Sequence, residues 1–315
     1  MTAGDPLFTT VGEWSQEELA RSLHGDGLFI DYGACTVRVR SRAPGFTAAF
    51  RQVYRHFAPV RNADFTDFHV EIDPGKGVRR WLKPQSRFLI DRIQPFEPFA
   101  ASHALPHYEW GLNWSFGQRF NQYVLLHAGV LAHADRALLL PATPGSGKST
   151  LTAAMMLAGF RLLSDEFGVL RPQAGDLLPM LKPVALKNAS IGVIRDFSAQ
   201  AELGPTFTAT RKGDVAHLAP DAASVALVRR PARPALIVFP AWCPGVPLQL
   251  EPQAPEQAFI RLAFNSFNYG VLGRISFEAV ADLAAACPAY QLVYSRLDEA
   301  VACLRQLLDD QGGPA

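Results

Sequence analysis

Residues 137–158 leave the chain little choice of local architecture. The apolar run Ala137-Leu138-Leu139-Leu140 leads into Ala142-Thr143-Pro144-Gly145-Ser146-Gly147-Lys148-Ser149, and Leu151-Thr152-Ala153-Ala154-Met155-Met156-Leu157-Ala158 follows. The spacing is A/G-x-x-x-x-G-K-[ST], which predicts a strand, a Gly-rich turn and a helix in immediate succession. Gly145 and Gly147 permit the positive φ and the close backbone approach that such a turn requires. Its N–H groups then converge at the N-terminus of the helix, where an anion is favoured. Lys148 adds a point charge and Ser149 a hydroxyl suited to Mg²⁺. Pro144, Gly145, Ser146, Gly147, Lys148, Ser149 and Thr150 are the expected contacts to the phosphates of a nucleotide.

At 315 residues, 49% of them apolar, the chain can bury the core of one large α/β domain or of two. Thirty basic and 29 acidic side chains leave a formal charge of +1, which gives no global electrostatic ground for binding nucleic acid or an anionic membrane. Cys35, Cys243, Cys287 and Cys303 are far apart and never in a CxxC spacing, so neither a disulfide framework nor a zinc site is indicated, and a reducing cytoplasm is the expected setting. The segment from Met1 to Leu19 carries Asp5, Glu13, Glu17 and Glu18 without a continuous apolar stretch, unlike a signal peptide. No run reaches the roughly 20 apolar residues of a membrane helix. Neither nucleic acid nor membrane is thus an expected partner, and a homo-oligomer stays open.

Ahead of the Gly-rich turn, short strands are predicted near Leu28–Asp31, Thr36–Arg40, Phe68–Ile72 and Phe88–Ile90. Phe46, Phe50, Val53, Tyr54 and Phe57 recur at spacings of three and four, as in an amphipathic helix packing on that sheet. An aromatic, helical stretch from His107 to Phe120 joins this unit to the rest. The reading is a mixed α/β N-terminal domain over residues 1–118 and a catalytic domain over residues 119–315. In the second, Tyr123 to Ala132 and the strand before the turn read as a hairpin. The apolar segment Phe160 to Leu163 ends in Ser164-Asp165-Glu166, the position of a Walker B acid, and carboxylates at the C-terminal end of a strand face a nucleotide crevice. Further helices are predicted from Ala189, over Pro255–Asn268, near Phe277–Ala286 and over Leu297–Leu308, with strands at Ala235–Phe239 and Tyr290–Tyr294.

His127, the turn from Ala142 to Thr150 and the triplet Ser164-Asp165-Glu166 resemble, in order and approximate spacing, the catalytic core of HPr kinase/phosphorylase. The chain is similar to the HprK-related kinase A family also in Pro183-Val184-Ala185-Leu186-Lys187-Asn188, Thr210-Arg211-Lys212-Gly213 and Asn265-Ser266-Phe267-Asn268-Tyr269, over roughly residues 105 to 295. The resemblance implies an α/β fold with the P-loop core shared by HPr kinase and phosphoenolpyruvate carboxykinase. It also implies roles: Asp165 as general base, Glu166 beside the Mg²⁺–ATP phosphates, and His127 close to Asp165. Lys187 would contact phosphate, and Arg211 and Lys212, on a mobile basic loop, would neutralise charge on the transferred group. Asn265, Asn268 and Tyr269 are candidates to line the pocket. One departure stands out: where the family has an acidic metal ligand, this chain has Val184-Ala185-Leu186-Lys187. Mg²⁺ ligation then falls to Ser149 and Glu166, with Asn188 a further candidate.

The expected activity is ATP- and Mg²⁺-dependent transfer of a γ-phosphoryl group to a hydroxyl, foremost a Ser of a protein or peptide selected by the N-terminal unit. A small hydroxyl compound as acceptor, a nucleotide-gated binding module and a carboxykinase-like enzyme are the alternatives.

Overall fold

Burial separates two kinds of strand. Thr36–Ser41 and Gln85–Ile90 alternate between half-buried and buried positions, so each has one covered face, whereas Arg136–Pro141 is buried on both. In the computed structural model, which describes residues 9–60 and 65–310, the first kind forms the N-terminal sheet and the second the centre of the main sheet.

The N-terminal part runs α1 (Gln16–His24), β1 (Leu28–Asp31), β2 (Thr36–Ser41), α2 (Phe46–Val53), β3 (Phe68–Pro74), β4 (Gln85–Ile90), β5 (Phe99–Ala100) and α3 (Ala104–Arg119). Its five strands lie in the order β1-β2-β3-β4-β5, with β2 and β3 parallel and the other pairs antiparallel. Helix α2 stops at Val53, a turn short of the predicted end. Tyr54 and Phe57 are nevertheless buried, because the turn that follows folds them under the same aromatic cluster. The Phe50 and Tyr54 rings stack at 4.3 Å.

The remainder runs β6 (Val124–His133), β7 (Arg136–Pro141), α4 (Lys148–Leu157), β8 (Arg161–Ser164), β9 (Phe167–Leu170), β10 (Leu177–Leu178), β11 (Val184–Lys187), α5 (Ala189–Phe197), β12 (Phe207–Thr210) and β13 (Gly213–Leu218). It continues with α6 (Ala222–Ala226), β14 (Arg233–Trp242), β15 (Gln249–Gln253), α7 (Pro255–Phe264), α8 (Tyr269–Leu272), α9 (Arg274–Ala286), β16 (Ala289–Tyr294) and α10 (Leu297–Asp310). The main sheet has the order β10-β9-β6-β7-β14-β16-β15, with β8 also paired to β6. β7 pairs antiparallel with β6 through a turn at Ala134 and Asp135, and parallel with β14. The helix predicted over Pro255–Asn268 ends at Phe264, and a separate short helix starts only at Tyr269. The predicted basic loop at Thr210–Gly213 is the turn of the β12–β13 hairpin, closed by the Thr210 hydroxyl, which donates to the Gly213 carbonyl at 2.6 Å and accepts from the Lys212 amide at 3.1 Å. The molecule is thus a mixed α/β protein.

The anticipated division near residue 118 falls at the end of α3. One buried cluster nevertheless extends from Val11 through Tyr54, Tyr108 and Phe116 to Phe167, Leu181 and Leu308. Across it, the Leu181 amide donates to the Tyr32 carbonyl and the Ala34 amide to the Pro179 carbonyl. Lys182 and Glu109, both buried, pair at 3.1 Å. A buried ion pair needs its remaining polar atoms satisfied. Here Tyr54 donates to Glu109 at 2.6 Å, and Lys182 donates to the Glu109 carbonyl and to Asn113.

Candidate functional site

The Gly-rich turn sits at the C-terminal end of β7. Gly145 and Gly147 have φ of 90° and 86°, and Gly147 is the residue from which α4 starts. Each meets a different constraint. A Cβ at Gly145 would reach open space, whereas one at Gly147 would stand 2.7 Å from the Tyr294 hydroxyl and 2.9 Å from Trp242 Cβ. Beneath the turn, Gly129 in β6 faces Thr152 of α4, whose Oγ1 lies 2.4 Å from where a Cβ would be. That absent side chain lets α4 lie close on β6 and sets the depth of Lys148.

Lys148 is buried, and its ammonium donates to the Asp165 carbonyl and lies 3.4 Å from Asp165 Oδ1. Asp165 and Glu166 follow β8, in the turn to β9. Burial pushes the Asp165 pKa up, Lys148 opposes it, Glu166 adds to the rise, and a hydrogen bond with the Ser149 side chain counters it. For Glu166, burial likewise disfavours the charge, but Lys148, His127, Lys182 and Lys187 outweigh it and its pKa is lowered.

His127, in the middle of β6, points its Nε2 to Glu166 Oε1 at 3.7 Å, rather than to Asp165 as the resemblance implies. The register Val130–Ser164 and His127–Phe167 explains this, since it sets His127 level with the residue after Glu166. Burial first, then Lys148, Lys187 and Lys212, depress the His127 pKa against the opposing effect of Glu166. The ring is therefore neutral at pH 7. Lys187, at the end of β11, and Lys212, in the β12–β13 turn, thus reach the same electrostatic neighbourhood from a separate sheet. The Lys212 pKa is lowered by burial and by Lys187.

Several expected residues serve elsewhere. The Arg211 guanidinium stacks 4.3 Å from the Phe99 ring centre, on the N-terminal sheet, and Lys212 also lies over Trp110. Asn188 accepts from the Asp214 amide at 3.0 Å through its side-chain oxygen, which ties it to the β12–β13 hairpin. Asn268 is buried, accepting from the Leu125 amide and donating to the Phe120 and Tyr123 carbonyls. The Asn265 side chain donates to the Arg261 carbonyl, as a helix cap. The Asn268 amide is thus fully engaged in the fold. Residues missed by sequence reasoning are Trp242 and Tyr294, at the ends of β14 and β16, which flank the turn: the Trp242 amide donates to the Ser146 carbonyl at 2.9 Å and the Tyr294 hydroxyl to the Gly147 carbonyl at 3.3 Å.

The arrangement fits a polyphosphate. Lys148, Lys187 and Lys212 face Asp165 and Glu166, an excess of positive charge at a helix N-terminus. The Ser146 hydroxyl, buried in the turn, has no partner within the protein. Among the described residues no three His, Cys, Asp or Glu side chains converge on a metal position. That is compatible with Mg²⁺, which is held by one or two carboxylates together with substrate phosphates. Ser149 and Glu166 would hold it, with Asp165 adjacent. A cavity of about 990 Å³ lies at the opposite ends of the same strands, between Arg136, Arg233, Asp282 and Cys287. The cradle, at the C-terminal ends, brings two adjacent acids with opposite shifts beside a buried lysine and is the better candidate. Comparison with protein-family models and with curated proteins returns no match. Among the described residues no helix is long and apolar enough to cross a membrane.

Proposed function

We propose that the protein is an ATP-dependent phosphotransferase of the HPr-kinase-like type, carrying the γ-phosphoryl group to a hydroxyl, foremost that of a serine on a protein or peptide. The observation that carries this reading is that Lys148 reaches Asp165 and His127 reaches Glu166 beside the Gly-rich turn, with Lys187 and Lys212 within electrostatic reach of Glu166 and His127, although these residues come from β6, α4, the turn after β8, β11 and the β12–β13 turn. The turn amides and Lys148 bind the phosphates. Ser149 and Glu166 hold Mg²⁺, which when bound offsets charge on the phosphate oxygens. Asp165, with its raised proton affinity, takes the proton of the attacking hydroxyl, and Lys187 and Lys212 offset negative charge on the transferred group.

A second reading exchanges the two acids. Ser149, the other candidate ligand, acts to lower the Asp165 pKa and so lies beside it, whereas the Glu166 side chain is 37% exposed and faces His127, where an incoming hydroxyl has better access. Asp165 would then share the metal and Glu166 take the proton.

The test of phosphotransfer is incubation of candidate serine-containing proteins and peptides with Mg²⁺–ATP and the wild-type or Lys148→Ala protein, read by mass spectrometry of the acceptor and calorimetry of nucleotide binding. The variant is expected to lose transfer by orders of magnitude. Unchanged nucleotide affinity and turnover in Lys148→Ala would remove the P-loop assignment, and phosphate found only on a carboxylate or a free small molecule would remove the protein-kinase reading.

A further inference from the structure

The sheet gives the bound nucleotide a direction. The groups that would act on the terminal phosphate, His127 on β6 and Asp165 and Glu166 in the turn after β8, lie on one side of β7, since β8 pairs with β6. The nucleoside end must then leave the cradle on the other side, where β14 and β16 end. At that place stands Trp242, the last residue of β14 and the partner of Tyr294 in the parallel pairing with β16.

Trp242 is fixed at three points. Its amide donates to the Ser146 carbonyl at 2.9 Å, which ties it to the turn itself. Its Cβ packs against Gly147 so closely that no side chain is admitted there. Its indole Nε1 donates to the Ser295 carbonyl at 3.1 Å, which sets the ring orientation and satisfies its only donor. Leu236 to Phe239 of the same strand are buried, yet Trp242 is 49% exposed. An oriented aromatic ring with its polar group already used and its surface in water, bonded through its backbone to a phosphate cradle, is a stacking platform for a planar heterocycle.

We propose that Trp242 is the platform on which the base of the nucleotide stacks. The proposal rests on the nucleotide-binding reading above and adds the base subsite to it. Stacking of one base on an aromatic side chain is worth about 1–3 kcal/mol, which converts to roughly 5- to 150-fold in affinity.

Calorimetry with Mg²⁺–ATP and with Mg²⁺–tripolyphosphate, which has phosphates but no base, separates the two claims. In Trp242→Ala, ATP affinity should fall roughly 5- to 150-fold while tripolyphosphate affinity stays at the wild-type value; Trp242→Phe, which keeps a π-face, should retain most of the ATP affinity. ATP should also change the tryptophan fluorescence of the wild type by more than that of Trp242→Phe. ATP affinity unchanged in Trp242→Ala overturns the platform, as does an equal loss for both ligands, which would make Trp242 a support for the turn alone. Failure of both ligands to bind the wild-type protein overturns the nucleotide-binding reading and the platform together.

Discussion

At Asp165, burial raises the proton affinity of the carboxylate, and the neighbouring Glu166 reinforces it; at Glu166, three lysines and His127 reverse the effect of burial. Two adjacent acids with displaced protonation in opposite senses are suited to a proton acceptor and a metal ligand, in that order. Asp165→Asn is therefore expected to keep Mg²⁺–nucleotide affinity and to lose about 10²- to 10⁴-fold in transfer rate. Glu166→Gln is expected to raise the Mg²⁺ concentration needed for half-maximal binding by roughly tenfold or more. Because a base works only when ionised, and the Asp165 pKa lies above the ordinary 3.8, the acceptor-saturated rate should fall with acid at higher pH than an exposed aspartate would give. Interchanged phenotypes would assign the roles the other way. The pair itself is readable in the sequence as the end of an apolar run, and so are Lys148 and Ser149. Their partners are not: His127 meets Glu166 because of one strand register, and Trp242 belongs to the site only because β14 lies beside β7.

The contact between β6 and α4 decides how deep the cradle sits. Gly129 opposes Thr152, whose hydroxyl is buried without a partner. Gly129→Ala should therefore push α4 outward and lower stability by about 1–3 kcal/mol, the usual cost of overpacking a filled core. Thr152→Ala in the same chain removes the opposing atom and should recover most of the loss. Denaturant melts of the two single variants and the double variant measure the coupling, and strictly additive losses would remove the explanation. Elements of this central kind were legible because a strand covered on both faces is apolar throughout, as in β6 and β7, and because the Gly-rich spacing fixes the start of α4. The β12–β13 hairpin was not. Its strands have four and six residues, Ala209 has φ of 53°, and the pairing shifts register between Phe207 and Thr210, so no clean alternation marks it. Helix α3 lacks a one-sided apolar stripe because it is covered by the N-terminal sheet on one side and by Lys182 and Phe167 on the other.

The buried cluster that joins the N-terminal sheet to the half carrying the Gly-rich turn has a thermodynamic consequence for the whole chain. Cutting between the halves would uncover Tyr54, Tyr108 and Phe116 on one side and Leu181 and Phe167 on the other, and would leave Lys182 or Glu109 buried without its partner. Calorimetry should therefore show one transition, with equal calorimetric and van't Hoff enthalpies. Acid supplies a second handle on the same coupling. His107, stacked on Phe99 within the N-terminal part, and His217, in β13, are buried, and burial drops each pKa from 6.5 to about 4. Such a histidine takes up its proton on unfolding but not in the folded protein between those two values, so stability is unaffected above about pH 6.5 and declines as the pH falls toward 4. Each can withdraw up to about 3 kcal/mol across that window. His217→Leu removes two ring nitrogens that have no partner, and it should flatten the pH dependence of the melting temperature below about pH 6. If the protein is one cooperative unit, His107→Leu, on the far side of the junction, should flatten that same single transition. Two transitions, with His107 moving one and His217 the other, would show instead that the halves unfold apart and that the half carrying the Gly-rich turn stands without the N-terminal sheet.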